Sequence, residues 1–331
     1  MRTARLISAA ILALAIGWSV PGVRAQSNGN AVNVFPVQGA VSVVIGPGGL
    51  GGPSANITVQ ASDDAVVLVD SGRGDANDQV VEAIRRVSAR PIRFIINTQA
   101  APDHTGGNAA VARSGRPFGG RAAGAGFLLP DQAAGALIIA HENVLSTLSG
   151  LRGAPAVPFA ARPLETYFTA QHELFNREAI QMFNHAAITD GDTIVFFRRS
   201  DVISTGDIFS TMAYPRVDLR AGGTVEGVIT ALNHVIDLAI PRDKQEGGTY
   251  VIPGHGRVAD EADVVEYRDM LVIIRDRVRD LLMKGRTLEQ IKEARVTFEY
   301  DRRYSTSEWT GEQFVESVVA SLRPAATAPA R

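Results

Sequence analysis

From residue 34 onward, apolar positions fall into short runs separated by turn residues, and the period of each run predicts an element. Residues 34–45 are β-branched and apolar and predict a strand, followed by the loop Gly46-Pro47-Gly48-Gly49-Leu50-Gly51-Gly52-Pro53. Residues 56–60 and 65–70, joined at Ser62-Asp63-Asp64, predict a hairpin. Val80, Val81, Ile84 and Val87 share one face of a helix over residues 75–87, with Asp75 or Asn77 as its cap. A strand over 92–98, a Gly- and Ala-rich loop over 115–135, a strand over 137–140 and a helix starting near Glu142 follow. A link carrying Pro155, Pro158 and Pro163 leads to the second half. There the pattern predicts strands over 178–183, 193–198, 201–204 and 249–252, with helices over 224–240, 262–284, 287–294 and 312–322. Strands interleaved with helices, without a composition break, predict one layered α/β domain over 34–323 and a solvated tail over 324–331.

Composition narrows the class. Of 331 residues, 45% are hydrophobic and 21% charged, which excludes a disordered, collagen-like or multispan chain. With 33 basic and 35 acidic residues there is no charge excess for nucleic acid. Zero cysteine closes off disulfides, thiolate metal sites and thiol catalysis. Arg2 and Arg5, an apolar stretch over 6–18 and Val23-Arg24-Ala25 before Gln26 have the three parts of a secretory signal peptide. The expectation is a signal peptide over 1–25, a flexible stretch over 26–33 and a periplasmic or secreted protein. The apolar stretch falls short of the ~20 residues that a membrane span needs, so no membrane association is expected after cleavage. Cleavage removes three arginines and no acid, moving the formal charge from −2 to −5.

Of six histidines, two stand beside strand ends and acids. His104 follows Asp103 just beyond the 92–98 strand, and His255 lies in Pro253-Gly254-His255-Gly256 after the 249–252 strand. Asp207 occupies a third such place, after the 201–204 strand. Strand ends on a rigid sheet aim side chains at one point, and two imidazoles with two carboxylates suit zinc or iron. Asp190 and Asp192 predict a turn, and Tyr214, Arg216 and Asp218 are placed at the mouth of the cleft. The glycine-rich loop at 46–53 lacks the Gly-Lys-Ser/Thr ending of a phosphate cradle.

Thr98-Gln99-Ala100-Ala101-Pro102-Asp103-His104-Thr105-Gly106-Gly107-Asn108 resembles the metallo-β-lactamase-fold hydrolases, whose hallmark is His-x-His-x-Asp-His followed by Thr-Gly-Gly-Asn. The resemblance continues in the family's order through Val69-Asp70-Ser71-Gly72, Thr189-Asp190-Gly191-Asp192, Thr205-Gly206-Asp207 and Pro253-Gly254-His255-Gly256. It implies a four-layer αββα sandwich of two mixed sheets flanked by helices, with metal at the rim between them. In that family one metal takes the two histidines of His-x-His and a third from Ala-His-Thr-Asp-Gly-Asp. Here those places hold Gln99, Ala101 and Ile188. The places of the second metal keep Asp103, His104 and His255, with Asp207 at the carboxylate that bridges both metals in many members.

The resemblance therefore implies an exported hydrolase of an ester, amide or lactam bond, impaired in rate. It would use one zinc or iron ion at Asp103, His104, Asp207 and His255. Asp103 and Asp207 are the candidate catalytic carboxylates, with Asp207 either a fourth ligand or a general base. The alternatives are an inactive periplasmic binding or structural protein, and a hydrogen-bonded remnant without metal. The partner expected is a small molecule. Asp70 is expected to support the rim by hydrogen bonding, and His141 to be structural. His185, three residues before Ile188, is expected on the opposite strand face, so that only a register shift brings it to the site. His172 and His234 carry no predicted chemistry.

Overall fold

The computed structural model describes residues 31–117 and 135–323. The predicted signal peptide, most of the predicted 115–135 loop and the tail lie outside the described residues.

Strand burial decides the layering. In β4 (Val66–Val69) all four residues are buried; Val66 and Leu68 face one core and Val67 and Val69 another. A strand buried on both faces needs cover on both. The first sheet runs β1 (Asn33–Gln38), β2 (Val41–Ile45), β3 (Ile57–Ala61), β4, β5 (Ile92–Asn97), β6 (Leu137–His141) and β7 (Glu165–Tyr167). It is antiparallel as far as β4 and parallel from β4 to β7. The second runs β13 (Ala259–Asp260), β12 (Tyr250–His255), β11 (Val202–Ser210), β10 (Asp192–Phe197), β9 (Glu178–His185) and β8 (Ala170–Phe175), with β11 and β12 its parallel pair.

Between the sheets lies a core that includes Val69, Phe94 and Ile96 from one side and Val195, Phe197 and Ile252 from the other. Outside the first sheet, α1 (Asn77–Val87) and α3 (Asn108–Ser114) cover Val66, Leu68 and Ile95. Outside the second, α5 (Val225–Leu238), α6 (Glu261–Met283) and α9 (Gly311–Leu322) cover Ile194, Phe196 and Ile203. The result is the expected αββα sandwich.

Several expectations change. Residues 34–45 are two strands, because Gly39 at φ +56° turns the chain between them. Neither Asp75 nor Asn77 caps α1; the cap position is Ala76, without a side-chain hydrogen bond. Asp207 lies inside β11, which runs on to Ser210 through irregular pairing with β12 at Gly206. Tyr214 is core, stacked on Phe314 at 4.8 Å and bonded to Asp301. The edge strand β8 and the short helix α8 (Phe298–Tyr304) were not predicted, since half-exposed segments this short carry little periodicity.

Candidate metal centre

The site begins at the end of β4, where Asp70 adopts φ +63° and turns its carboxylate inward. Asp70 Oδ1 accepts from the Thr98 amide at 2.8 Å, and Oδ2 accepts from Thr98 Oγ1 at 2.7 Å. The same Oδ2 lies 2.7 Å from His104 Nδ1. A carboxylate on one ring nitrogen fixes the tautomer and turns the other outward, the usual support of a metal-binding histidine.

His104 rides on α2 (Pro102–Thr105), a single turn with proline at its start. Behind it Gly106 and Gly107 press against the Ser71–Arg73 backbone, and a Cβ on Gly106 would stand 1.9 Å from the Arg73 carbonyl oxygen. Asn97 and Asn108 exchange side-chain hydrogen bonds at 2.8 and 3.1 Å, and Ser71 Oγ donates to Asn108 Oδ1. These contacts give the Thr-Gly-Gly-Asn segment its physical reason.

Asp103 shares α2 with His104, and the other two donors come from the second sheet. His255, at the end of β12, places Nε2 3.0 Å from Asp103 Oδ2 and 3.8 Å from Asp207 Oδ1. His104 Nε2 lies 3.3 Å from Asp207 Oδ1 and 3.9 Å from Asp103 Oδ2. One ligand atom from each of Asp103, His104, Asp207 and His255 lies within 4.8 Å of the rest. Gly254 makes this convergence possible: a Cβ there would meet Asp207 Oδ1 at 2.3 Å. Asn56 holds the turn from behind, its Nδ2 donating to the carbonyls of Pro253 and Gly256 at 2.9 and 3.0 Å. Sequence reading missed Asn56; its partners are 197 and 200 residues away, and no local signal marks it.

Charge is unbalanced here. Burial works to raise the Asp207 pKa, yet His104, His255 and Gln99 outweigh it and hold it below the usual carboxylate range. Asp103 is likewise lowered against its burial, by the His255 bond and the His104 charge. At His104, Asp207 and Asp70 favour positive charge against the opposing effect of burial. Among the described residues no lysine or arginine pairs with Asp70, Asp103 or Asp207, whose ion-pair partners are histidines alone. A part-buried cluster of oxygen and imidazole donors with surplus negative charge fits a divalent metal ion.

Of the remaining expected positions, Gln99 touches this cluster. Gln99 is buried, with Nε2 2.6 Å from Asp207 Oδ2 and 2.9 Å from His104 Nε2. Ala101 serves through its backbone, its carbonyl accepting from the amides of His104 and Thr105. Ile188 is packed into the core of the second sheet with Ile194 and Ile208. The Thr189–Asp192 turn is built as expected: Asp192 accepts from the amides of Ile188 and Thr189 and from Thr189 Oγ1, and burial pushes its pKa up to about 7.

His185 does not reach the cluster. Its Nε2 lies 2.8 Å from His234 Nδ1, and burial, with His234 beside it, pushes its pKa down to about 4. His141 caps α4 (Glu142–Leu148) by accepting from the Asn143 amide, a structural role. His172 packs edge-on against Phe183. Arg216 lies over Trp309, and Asp218 accepts the amides of Arg220 and Ala221 in a turn.

A sequence model of the metallo-beta-lactamase superfamily matches residues 50–298. Among solved structures, the chain is similar to a metallo-beta-lactamase from Pontibacter korlensis, at 13% identity over 72% of this chain and 98% of that one, with a TM-score of 0.52. It is similar also to the DIM-1 metallo-beta-lactamase, at 13% identity over 73% of this chain and 97% of that one, with a TM-score of 0.50. A double mutant of the sec-alkyl sulfatase PisA1 is a third, at 15% identity over 78% of this chain and 44% of that one, with a TM-score of 0.54. At these identities the likeness is one of fold. Among curated proteins none matches the chain.

Proposed function

The chain belongs to the metallo-beta-lactamase superfamily, and on that premise we propose that it is an exported hydrolase of an ester, amide or lactam bond working with one zinc or iron ion. The observation that carries this reading is the convergence of Asp103, His104, Asp207 and His255 within 4.8 Å, with His104 tethered from behind by Asp70. Those four residues would hold the ion. Gln99, Ala101 and Ile188 leave the companion position of a two-metal site without its histidines. Bound there, a divalent ion supplies Lewis-acid polarisation of the scissile group and lowers the pKa of water.

The chain's own residues then divide the work. In the neutral ring that a metal needs, Asp70 would keep the His104 Nδ1 proton directed at itself, so that Nε2 would present a lone pair to the cluster. The Asp103 and Asp207 side chains, each 29% exposed, are the carboxylates that a substrate can approach. As acceptors at neutral pH, they can take a proton at an Oδ atom during attack and return it to the leaving group. Asp103 is tied to His255 through Oδ2.

Export rests on the signal-peptide pattern of residues 1–25, and sequencing the N-terminus of the mature protein tests cleavage after Ala25. Among the described residues no helix is long and apolar enough to cross a membrane.

The second reading, an inactive binding protein, draws its support from Ile188, which is committed to the core. A hydrolysis panel on zinc- and iron-loaded protein separates the two. It should contain carboxyl esters, thioesters and lactams, and a sec-alkyl sulfate after the name of one neighbour. Turnover that disappears in His104→Ala supports the hydrolase; turnover that persists undiminished in that variant, or no turnover with any substrate, rejects it.

A further inference from the structure

The Gln99 side chain is 3% exposed, and its amide nitrogen contacts two of the four donors that the ion would need. An amide NH2 offers two hydrogens and no acceptor. The nitrogen donates to Asp207 Oδ2 at 2.6 Å and stands 2.9 Å from His104 Nε2. Turning the amide over would set its carbonyl oxygen 2.6 Å from a carboxylate oxygen, two acceptors with no proton between them. The neighbours therefore decide the orientation.

The ring obeys the same constraint. In the neutral ring, the form that can bind a cation, the Nδ1 hydrogen is directed at Asp70 and His104 Nε2 carries the lone pair, 2.9 Å from the amide nitrogen. That lone pair can accept an N–H or bind a cation, and cannot do both. Asp207 Oδ2 is engaged in the same way, while its Oδ1 remains turned toward the two histidines.

We propose that Gln99 is an internal competitor for the metal ion: its amide holds His104 Nε2 and Asp207 Oδ2, and loading the site requires their release. The inference rests on the metal reading above and adds to it a residue that sets affinity without ligating. Gln99 thus differs from a weak ligand in the sign of its effect. A ligand strengthens binding and its removal weakens it; a competitor does the reverse.

Zinc titrations against a competing chelator dye, on the full mature chain, decide the sign. Gln99→Ala removes the amide, and Gln99→Met removes its donors at similar volume. Both variants should bind zinc roughly ten- to a hundredfold more tightly than wild type, the equivalent of one hydrogen bond to a charged group. Melting temperature gives a second readout: the chelator-treated variants should melt lower than treated wild type, while zinc-loaded chains should melt close together. Weaker binding in both variants would make Gln99 a ligand and overturn the inference while leaving the metal reading intact, and unchanged affinity would overturn it too. No zinc binding by any of the three chains would end the metal reading and this inference with it.

Discussion

The two sides of the cleft are built differently on one scaffold. On one side, His104, Asp207 and His255 are each positioned by a dedicated contact: Asp70 behind His104, Gly254 beneath Asp207, Asn56 behind the turn that carries His255. On the other, positions 101 and 188 contribute backbone hydrogen bonds, and the Ile188 side chain packs into the core. The Ala101 carbonyl starts α2, and the Ile188 amide and carbonyl bond Asp192 and Asp218. Loop geometry on that side depends on Asp192 and on main-chain bonds, so a side chain at 188 can turn to packing without loss of the loop.

The comparison can be broken where the two sides differ most. Ile188→His places a polar ring among Ile194 and Ile208 and should cost about 2–4 kcal/mol, read by urea unfolding. Ala101→His, where only the backbone is used, should change stability by no more than ~0.5 kcal/mol. Equal effects at the two positions would erase the distinction.

Asp70→Asn tests the supported side. It removes the acceptor shared by His104 Nδ1 and the Thr98 hydroxyl, and should weaken metal binding about 10–100-fold. It should also cost about 1–3 kcal/mol in the chelator-treated protein. Asn56→Ala removes two bonds to the Pro253–Gly256 turn and should cost about 1–2 kcal/mol, with a smaller loss of metal affinity.

The smallest effect is a pH slope. Asp192 holds its proton to about pH 7 in the folded chain, above the ordinary 3.8. The stability from this preference is complete below pH 3.8 and is lost as pH rises through about 7. Wild type should therefore lose ground to Asp192→Asn in melting temperature between pH 4 and pH 8, and a constant gap would refute the assignment.

What was legible follows the range of the physics. His104 and His255 stood out because each follows a strand end beside acids, and the β-branched runs of β4 and β5 announced strands. Those runs predicted one layered α/β domain, and the αββα order came from the family resemblance. Asn56 was silent because its partners are remote in sequence, and Tyr214 was misplaced because a phenol reads alike at a cleft mouth and in a core. Asp207 was set after a strand because irregular pairing around Gly206 continues β11 through a sequence that looks like a turn.

The most direct test is metal content per chain, measured by elemental analysis on mature protein equilibrated with zinc and with iron and then freed of excess. The account predicts about one equivalent in wild type and its loss in His255→Ala, with the fold retained by circular dichroism. Wild type that retains no ion from either metal, or His255→Ala that retains a full equivalent, would contradict it.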